Sequence, residues 1–390
     1  MRVAERMSRL GTETAFEVLA EAKALEAQGK KIIHLEIGEP DFNTPQNIIE
    51  AGIRALQEGW HHYTPASGLI NLRQTIAQHV SRSRGIAVDP AEVVVTPGAK
   101  PILFFSLLAM TQEGDEVIYP NPGFPIYESM IRYAGASAVP IQLREELDFR
   151  LDVRELLQAM TSRTRMVILN SPNNPTGSVL SEEDLRQLAS ILAERDVICL
   201  SDEIYSQILY EGEHRSIASL PGMKDRTIIL DGFSKTYAMT GWRLGYGVMP
   251  APLAEHITRL MINSNSCTAA FTQMAGIEAL AGDQSSVSKM VATFRRRRDR
   301  IVELLNEIEG IHCRMPRGAF YVFPNVSALG QDVSHLSKLL LHEGGVATLA
   351  GTSFGRFGEG YLRLSYANSL QAIEEAIGKI SDFLGRQSVL

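Results

Sequence analysis

From Glu92 onward, short apolar runs rich in β-branched residues alternate with longer stretches whose apolar positions return at helical spacing. The runs Val93–Val95, Glu116–Tyr119, Ala138–Ile141, Met166–Leu169, Val197–Leu200, Thr227–Leu230 and Leu244–Val248 read as strands. Lys100–Met110, Phe124–Ala134, Asp152–Met160 and Glu182–Glu194 read as helices between them, the last opened by a variant capping box at Ser181 and Asp184. This alternation predicts an α/β fold built on a mainly parallel sheet with helices on both faces. In such sheets ligands bind beyond the carboxyl ends of the strands, so chemistry is expected just after each run.

The pattern differs on either side. Ala15 to Gln28 reads as an amphipathic helix closed by Gly29, and Ile32 to Ile37 as a short strand running into the turn-rich segment Gly38-Glu39-Pro40-Asp41-Phe42. Helices are expected over Gln46–Glu58 and Leu69–Arg82. Beyond Ala281 come a long helix, Val287–Ile308, short strands at Ala319–Phe323, Val346–Leu349 and Tyr361–Ser365, and a final helix over Gln371–Leu384. This predicts a large domain over residues 41–283 and a smaller α+β domain formed by 1–40 with 284–390.

Composition narrows the picture. With 45% hydrophobic residues the 390-residue chain has ample material for a core. A net charge of −7 argues against nucleic acid or anionic membranes as main partners. In an acidic protein the run Arg295-Arg296-Arg297-Arg298, with Asp299 and Glu303 beside it, reads as a solvated helix face. Cys199, Cys267 and Cys313 stand far apart and read as reduced thiols, which points to the cytoplasm. The N-terminus is charged throughout and lacks an apolar signal core, and no stretch approaches the ~20 apolar residues of a membrane span. His61 and His62 have no third ligand nearby, so no metal site is expected.

The strand ends carry the chemistry. After Thr227–Leu230 the chain reaches Asp231-Gly232-Phe233-Ser234-Lys235, and Arg243 follows between Gly241 and Gly245. A lysine at a strand end in apolar company loses its proton readily, and the neutral amine attacks an aldehyde to give a Schiff base. An arginine offers a planar fork for a phosphate. Aldehyde plus phosphate describes pyridoxal 5′-phosphate. After Val93–Val95, Thr96-Pro97-Gly98-Ala99-Lys100 opens a helix and forms a candidate anion cradle. Asn174, in the turn after Met166–Leu169, could donate to the ring's phenolate oxygen, and Tyr205 could reach the same atom. Asp202, after Val197–Leu200, could pair with a protonated pyridine nitrogen and keep the ring an electron sink. Arg363 alternates with apolar neighbours and could grip a substrate carboxylate. Each has a plain structural alternative: a surface lysine, ordinary turns, a helix-capping aspartate, a packed tyrosine, an internal salt bridge. Together they meet separate needs of one cofactor.

Ser171-Pro172-Asn173-Asn174-Pro175-Thr176-Gly177, Ser201-Asp202-Glu203-Ile204-Tyr205 and Ser234-Lys235-Thr236-Tyr237-Ala238-Met239-Thr240-Gly241-Trp242-Arg243 resemble the class I/II pyridoxal-phosphate aminotransferases of fold type I. Gly38-Glu39-Pro40-Asp41-Phe42, Tyr63-Thr64-Pro65, Pro122-Gly123-Phe124 and Arg363-Leu364-Ser365-Tyr366 are similar as well. The resemblance implies a homodimer with shared active sites that moves the amino group of an L-α-amino acid to a 2-oxo acid by ping-pong kinetics. It further implies that Lys235 holds the cofactor and shuttles a proton, Asp202 pairs with the ring nitrogen, and Asn174 and Tyr205 contact the ring oxygen. Gly98, Ala99, Lys100, Ser234 and Arg243 would surround the phosphate, with Tyr63 reaching the partner subunit's phosphate. Phe124 would stack on the ring, and Gly38 and Arg363 would hold the amino acid's backbone end. Gly232 stands where some relatives carry a phosphate-binding serine, which leaves the phosphate shell one contact leaner. The stretch Asn263-Ser264-Asn265-Ser266-Cys267-Thr268-Ala269-Ala270 lacks the arginine by which some aspartate-specific relatives hold a distal carboxylate; Lys100 could bind an acidic side chain instead, and acidic, aromatic and small neutral amino acids all stay open.

Other chemistries fit less well. Gly351-Thr352-Ser353-Phe354-Gly355 matches a hydrolase nucleophile elbow, but a strand pattern follows it and the last histidine, His342, lies upstream. No G-x-G-x-x-G follows a strand, which argues against a nicotinamide dehydrogenase. A carbon–sulfur lyase of the same fold would use the same Lys235 and Asp202.

Overall fold

The computed structural model describes residues 2–387. Twelve strands are found among them. β1 (Ile33–His34) precedes the large sheet, which is built from β2 (Val93–Thr96), β3 (Glu116–Asn121), β4 (Ser137–Gln142), β5 (Thr164–Asn170), β6 (Ile198–Asp202), β7 (Thr227–Gly232) and β8 (Gly245–Val248). β9 (Tyr321–Val322), β10 (Val346–Ala347), β11 (Leu349–Ala350) and β12 (Leu362–Ser365) follow. The large sheet runs β2-β8-β7-β6-β5-β3-β4, and only β8 is antiparallel to its neighbours. Its strands β3, β7 and β8 are buried from end to end and β5 and β6 over nearly all their length, as continuous apolar runs require of a sheet covered on both faces. One face carries Ile102, Phe105, Ile131 and Ile257; the other side holds Leu156, Leu185 and Leu188, all buried.

Most expected elements form within a residue or two. Lys100–Met110 is helical over its whole span. The helix after β3 begins at Ile126, not Phe124, with Pro125 at its N-cap. The box at Ser181 and Asp184 is complete, each side chain accepting from the other's backbone N–H. Three helices escaped the pattern: Ala251–Ser264 and Ala270–Ala281, which pack beside the large sheet, and the short Val333–Leu339. The run Val346–Leu349 is not one strand. β10 pairs in parallel with β1, whereas β11 joins the antiparallel sheet β11-β12-β9, and the buried Thr348 turns the chain between them.

The four-arginine run on the helix Ser285–Asn306 also departs from expectation. Arg297 and Arg298 are buried, not solvated. Arg297 forks onto both oxygens of Asp41 at 2.7 and 2.8 Å and lies over the Phe42 ring. Arg298 donates to the Pro316 carbonyl and lies over the Tyr210 ring. No helix of the described residues is long and apolar enough to cross a membrane.

Candidate active site

The parallel strands end on one cavity of about 570 Å³, closed from the far side by β12, the Gly38 turn and the N-terminal segment around Glu13. The loop after β7 carries Lys235 to its floor. The amine donates to the Gly38 carbonyl at 2.6 Å. Burial brings the lysine pKa down to about 8, opposed by Glu39 and reinforced by Lys100 and Arg363.

Asp202 ends β6, buried on the same side. Tyr127 donates to its Oδ2 at 2.5 Å and the Ile204 N–H to its Oδ1 at 3.2 Å. Burial pushes its carboxyl up to about 6, partly relieved by those two bonds. A cation against this carboxylate would restore its charge. Tyr205 shares a hydrogen bond with Tyr321, hydroxyl to hydroxyl, at 2.8 Å. Asn174 is fixed by its backbone N–H, which donates to the side chain of Asn170 at the end of β5.

Arg363 enters from β12, where Leu362 and Leu364 point into the apolar core and alternation sends the arginine to the opposite face. It is buried between the rings of Tyr321 and Phe354, at 4.6 and 4.8 Å from their centroids. Its Nη1 donates to Asn174 Oδ1 at 3.3 Å and its Nη2 to the Glu36 carbonyl, but Nε has no partner. No carboxylate lies within ion-pair distance of it among the described residues. A buried guanidinium so placed lacks an anion.

A second anion cradle lies at the start of the helix Lys100–Met110. A Cβ on Gly98 would stand 2.2 Å from Arg243 Nη2, and one on Gly245 would stand 2.4 Å from the Ala99 nitrogen. Glycine at both positions lets backbone and guanidinium close around one spot. Ser234 and Ala99 also line the cavity.

The cavity thus gathers Gly38, Ala99, Lys100, Phe124, Asn174, Asp202, Tyr205, Ser234, Lys235, Arg243 and Arg363. Gly98 sits just behind, against Arg243. Tyr63 does not line the cavity and is 90% exposed. Lys100 is not free: it pairs with Glu13 and lies 5.4 Å from the centre of the Phe124 ring. Ser353, of the hydrolase-like motif, makes no hydrogen bond to a histidine among the described residues.

Sequence reasoning missed Tyr127, Tyr321 and Glu13. Tyr127 had a signal, standing three residues after Phe124, whose ring it meets edge-on at 5.7 Å. It also missed a buried network behind the strand ends. Arg84 binds Glu203 at 2.9 Å and Asp231 at 2.6 Å, and His214 reaches the same Glu203 at 2.9 Å.

Residues 30–380 match the family model of aminotransferases of class I and II. The chain belongs to that family. It is 39% identical to an aspartate aminotransferase of Pyrococcus horikoshii over 98% of this chain and 97% of that one. It is also 39% identical to an aromatic-amino-acid aminotransferase of Thermococcus litoralis over 93% of this chain and 95% of that one. Among solved structures, the aspartate aminotransferase of Thermus thermophilus with maleate superposes at a TM-score of 0.94, with 36% identity over 98% of this chain and all of that one, 100%. The protein is therefore an aminotransferase, and its cavity is the place to seek the chemistry.

Proposed function

We propose that the aminotransferase holds pyridoxal 5′-phosphate on Lys235 and moves the amino group of an L-α-amino acid to a 2-oxo acid, such as 2-oxoglutarate, by ping-pong kinetics. One observation carries this reading. A lysine whose ammonium is destabilised by burial faces the same cavity as a buried arginine that lacks an anion. The first suits an aldehyde and the second a carboxylate.

The residues fit the cofactor. The Gly98, Ala99 and Arg243 cradle suits a phosphate, with Ser234 beside it, while Lys100 is held by Glu13. Asp202 suits a protonated pyridine nitrogen, and Tyr127 steadies the carboxylate for that task. Asn174 and Tyr205 suit the ring oxygen, and Phe124 suits a ring face. When bound, pyridoxal 5′-phosphate supplies an aldehyde for amine exchange and a ring that stabilises negative charge at the substrate Cα. Lys235, once its amine is free, moves the proton at that Cα. Arg363 grips the substrate carboxylate and Gly38 leaves room for the substrate's backbone end. A Cβ there would stand 2.2 Å from the Tyr321 hydroxyl.

The same reading makes residues 41–283 a cofactor-binding domain and 1–40 with 284–390 a smaller domain, in a cytoplasmic homodimer with shared sites. Tyr63 then reaches the partner subunit's phosphate. The test is chemical trapping. Protein saturated with pyridoxal 5′-phosphate is treated with borohydride and digested. A pyridoxyl mass on the peptide holding Lys235 is expected; the label on another lysine overturns the assignment.

A further inference from the structure

The cavity is read above as an amino-acid site, and the following inference rests on that reading. Phe16, Leu103, Phe124 and Leu349 give it apolar lining, and Lys100 is one of its cations. That cation is already taken. Glu13 forms an ion pair with it, and the carboxylate is only 18% exposed although Lys100 is 49% exposed. Glu13 sits at the N-cap of the helix Thr14–Ala27 and yet makes no side-chain cap to that helix. Its carboxylate is spent on the cavity instead. It lines the same cavity as Lys235, Tyr321 and Arg363.

We propose that Glu13 is a specificity-determining residue: an internal carboxylate that occupies Lys100, so that uncharged side chains bind with Glu13 in place and dicarboxylic acids bind only by displacing it. A substrate's distal carboxylate and Glu13 are chemically alike and compete for one ammonium. With an apolar side chain, Glu13 keeps Lys100 neutralised beside the Phe124 face. With a dicarboxylic acid, the displaced Glu13 adds a like charge at the mouth of the cavity.

The experiment compares cofactor-saturated wild type with Glu13→Gln. The rate of 2-oxo acid formation is measured for L-aspartate and L-glutamate and, separately, for L-phenylalanine and L-leucine. Removing the competitor should raise kcat/KM for the dicarboxylic amino acids relative to the apolar ones by about five-fold, the upper end for a half-exposed ion pair. The gain should appear in KM and be lost in Glu13→Gln/Lys100→Met. A ratio that stays at the wild-type value or falls overturns the proposal. If neither enzyme converts any of the four amino acids, it is the aminotransfer reading of the cavity that fails, and the two failures are distinct.

Discussion

Lys235 and Arg363 are both cations in a space that burial makes hostile to positive charge, and each resolves the conflict differently. Lys235 can give up its proton; an arginine cannot, so Arg363 must be given an anion. The lysine's ordinary pKa is near 10.4, and burial lowers it to about 8. Between these values the unfolded chain binds the proton and the folded apoprotein does not. Stability from this group therefore rises with pH across that window and is lost as pH falls through about 8. The same protonation sets cofactor uptake. The rate at which apoprotein takes up pyridoxal 5′-phosphate, followed by visible absorbance, should climb with pH and level off above about 8. A flat profile from pH 6 to 9 would remove the buried amine from the account. For Arg363, substitution by lysine keeps a charge but loses the fork. KM for the amino acid should rise on the order of a hundredfold while the cofactor stays bound; release of the cofactor would assign Arg363 elsewhere.

At the scale of elements, strand ends are held in register by the charge network behind them. Arg84, from the end of the helix Ile70–Arg84, ties Glu203 after β6 to Asp231 in β7, the strands that present Asp202 and Lys235. Arg84→Met would leave two buried carboxylates with no cation but His214, beside hydroxyl groups and the Gly232 N–H. The expected cost is about 3–5 kcal/mol, read as a lower denaturation midpoint. The capping box supplies a smaller check on the helix Glu182–Ala193: Ser181→Ala should cost about 1 kcal/mol. These elements differ in how visible they were in the sequence. Asp202 and Lys235 could be found because they follow the ends of apolar runs, and Arg363 because it takes the polar place in a strict alternation. Nothing local marks Arg297 as buried, since its partner Asp41 is 256 residues away. Glu13 reads as an ordinary surface residue until the fold brings Lys100 to it, 87 residues on. Thr348 looks like the middle of a strand, and only two different pairing partners reveal a turn.

For the whole molecule, the exposed apolar residues are informative. Ile53, Leu56, Tyr63 and Ile70 are all exposed within one stretch of chain, about half or more of each side chain's surface. Exposed apolar side chains of this kind suit an interaction surface, and a second copy is the partner that the shared-site reading requires. Sedimentation should give twice the 43.0 kDa chain mass, and Leu56→Glu should shift it toward one. The parallel sheet could be foreseen because strand periodicity is local. A surface shared between copies leaves no such period in either, so the expectation of a homodimer rests on the family resemblance alone.

An aminotransferase working by ping-pong kinetics stores an amino group in this cavity between two half-reactions. The most direct measurement adds one L-amino acid to cofactor-saturated enzyme without any 2-oxo acid and counts products per chain. One equivalent of the corresponding 2-oxo acid, no ammonia, and turnover resumed only when a 2-oxo acid is supplied is the predicted result. Continuous release of ammonia or a thiol from the amino acid alone would contradict it.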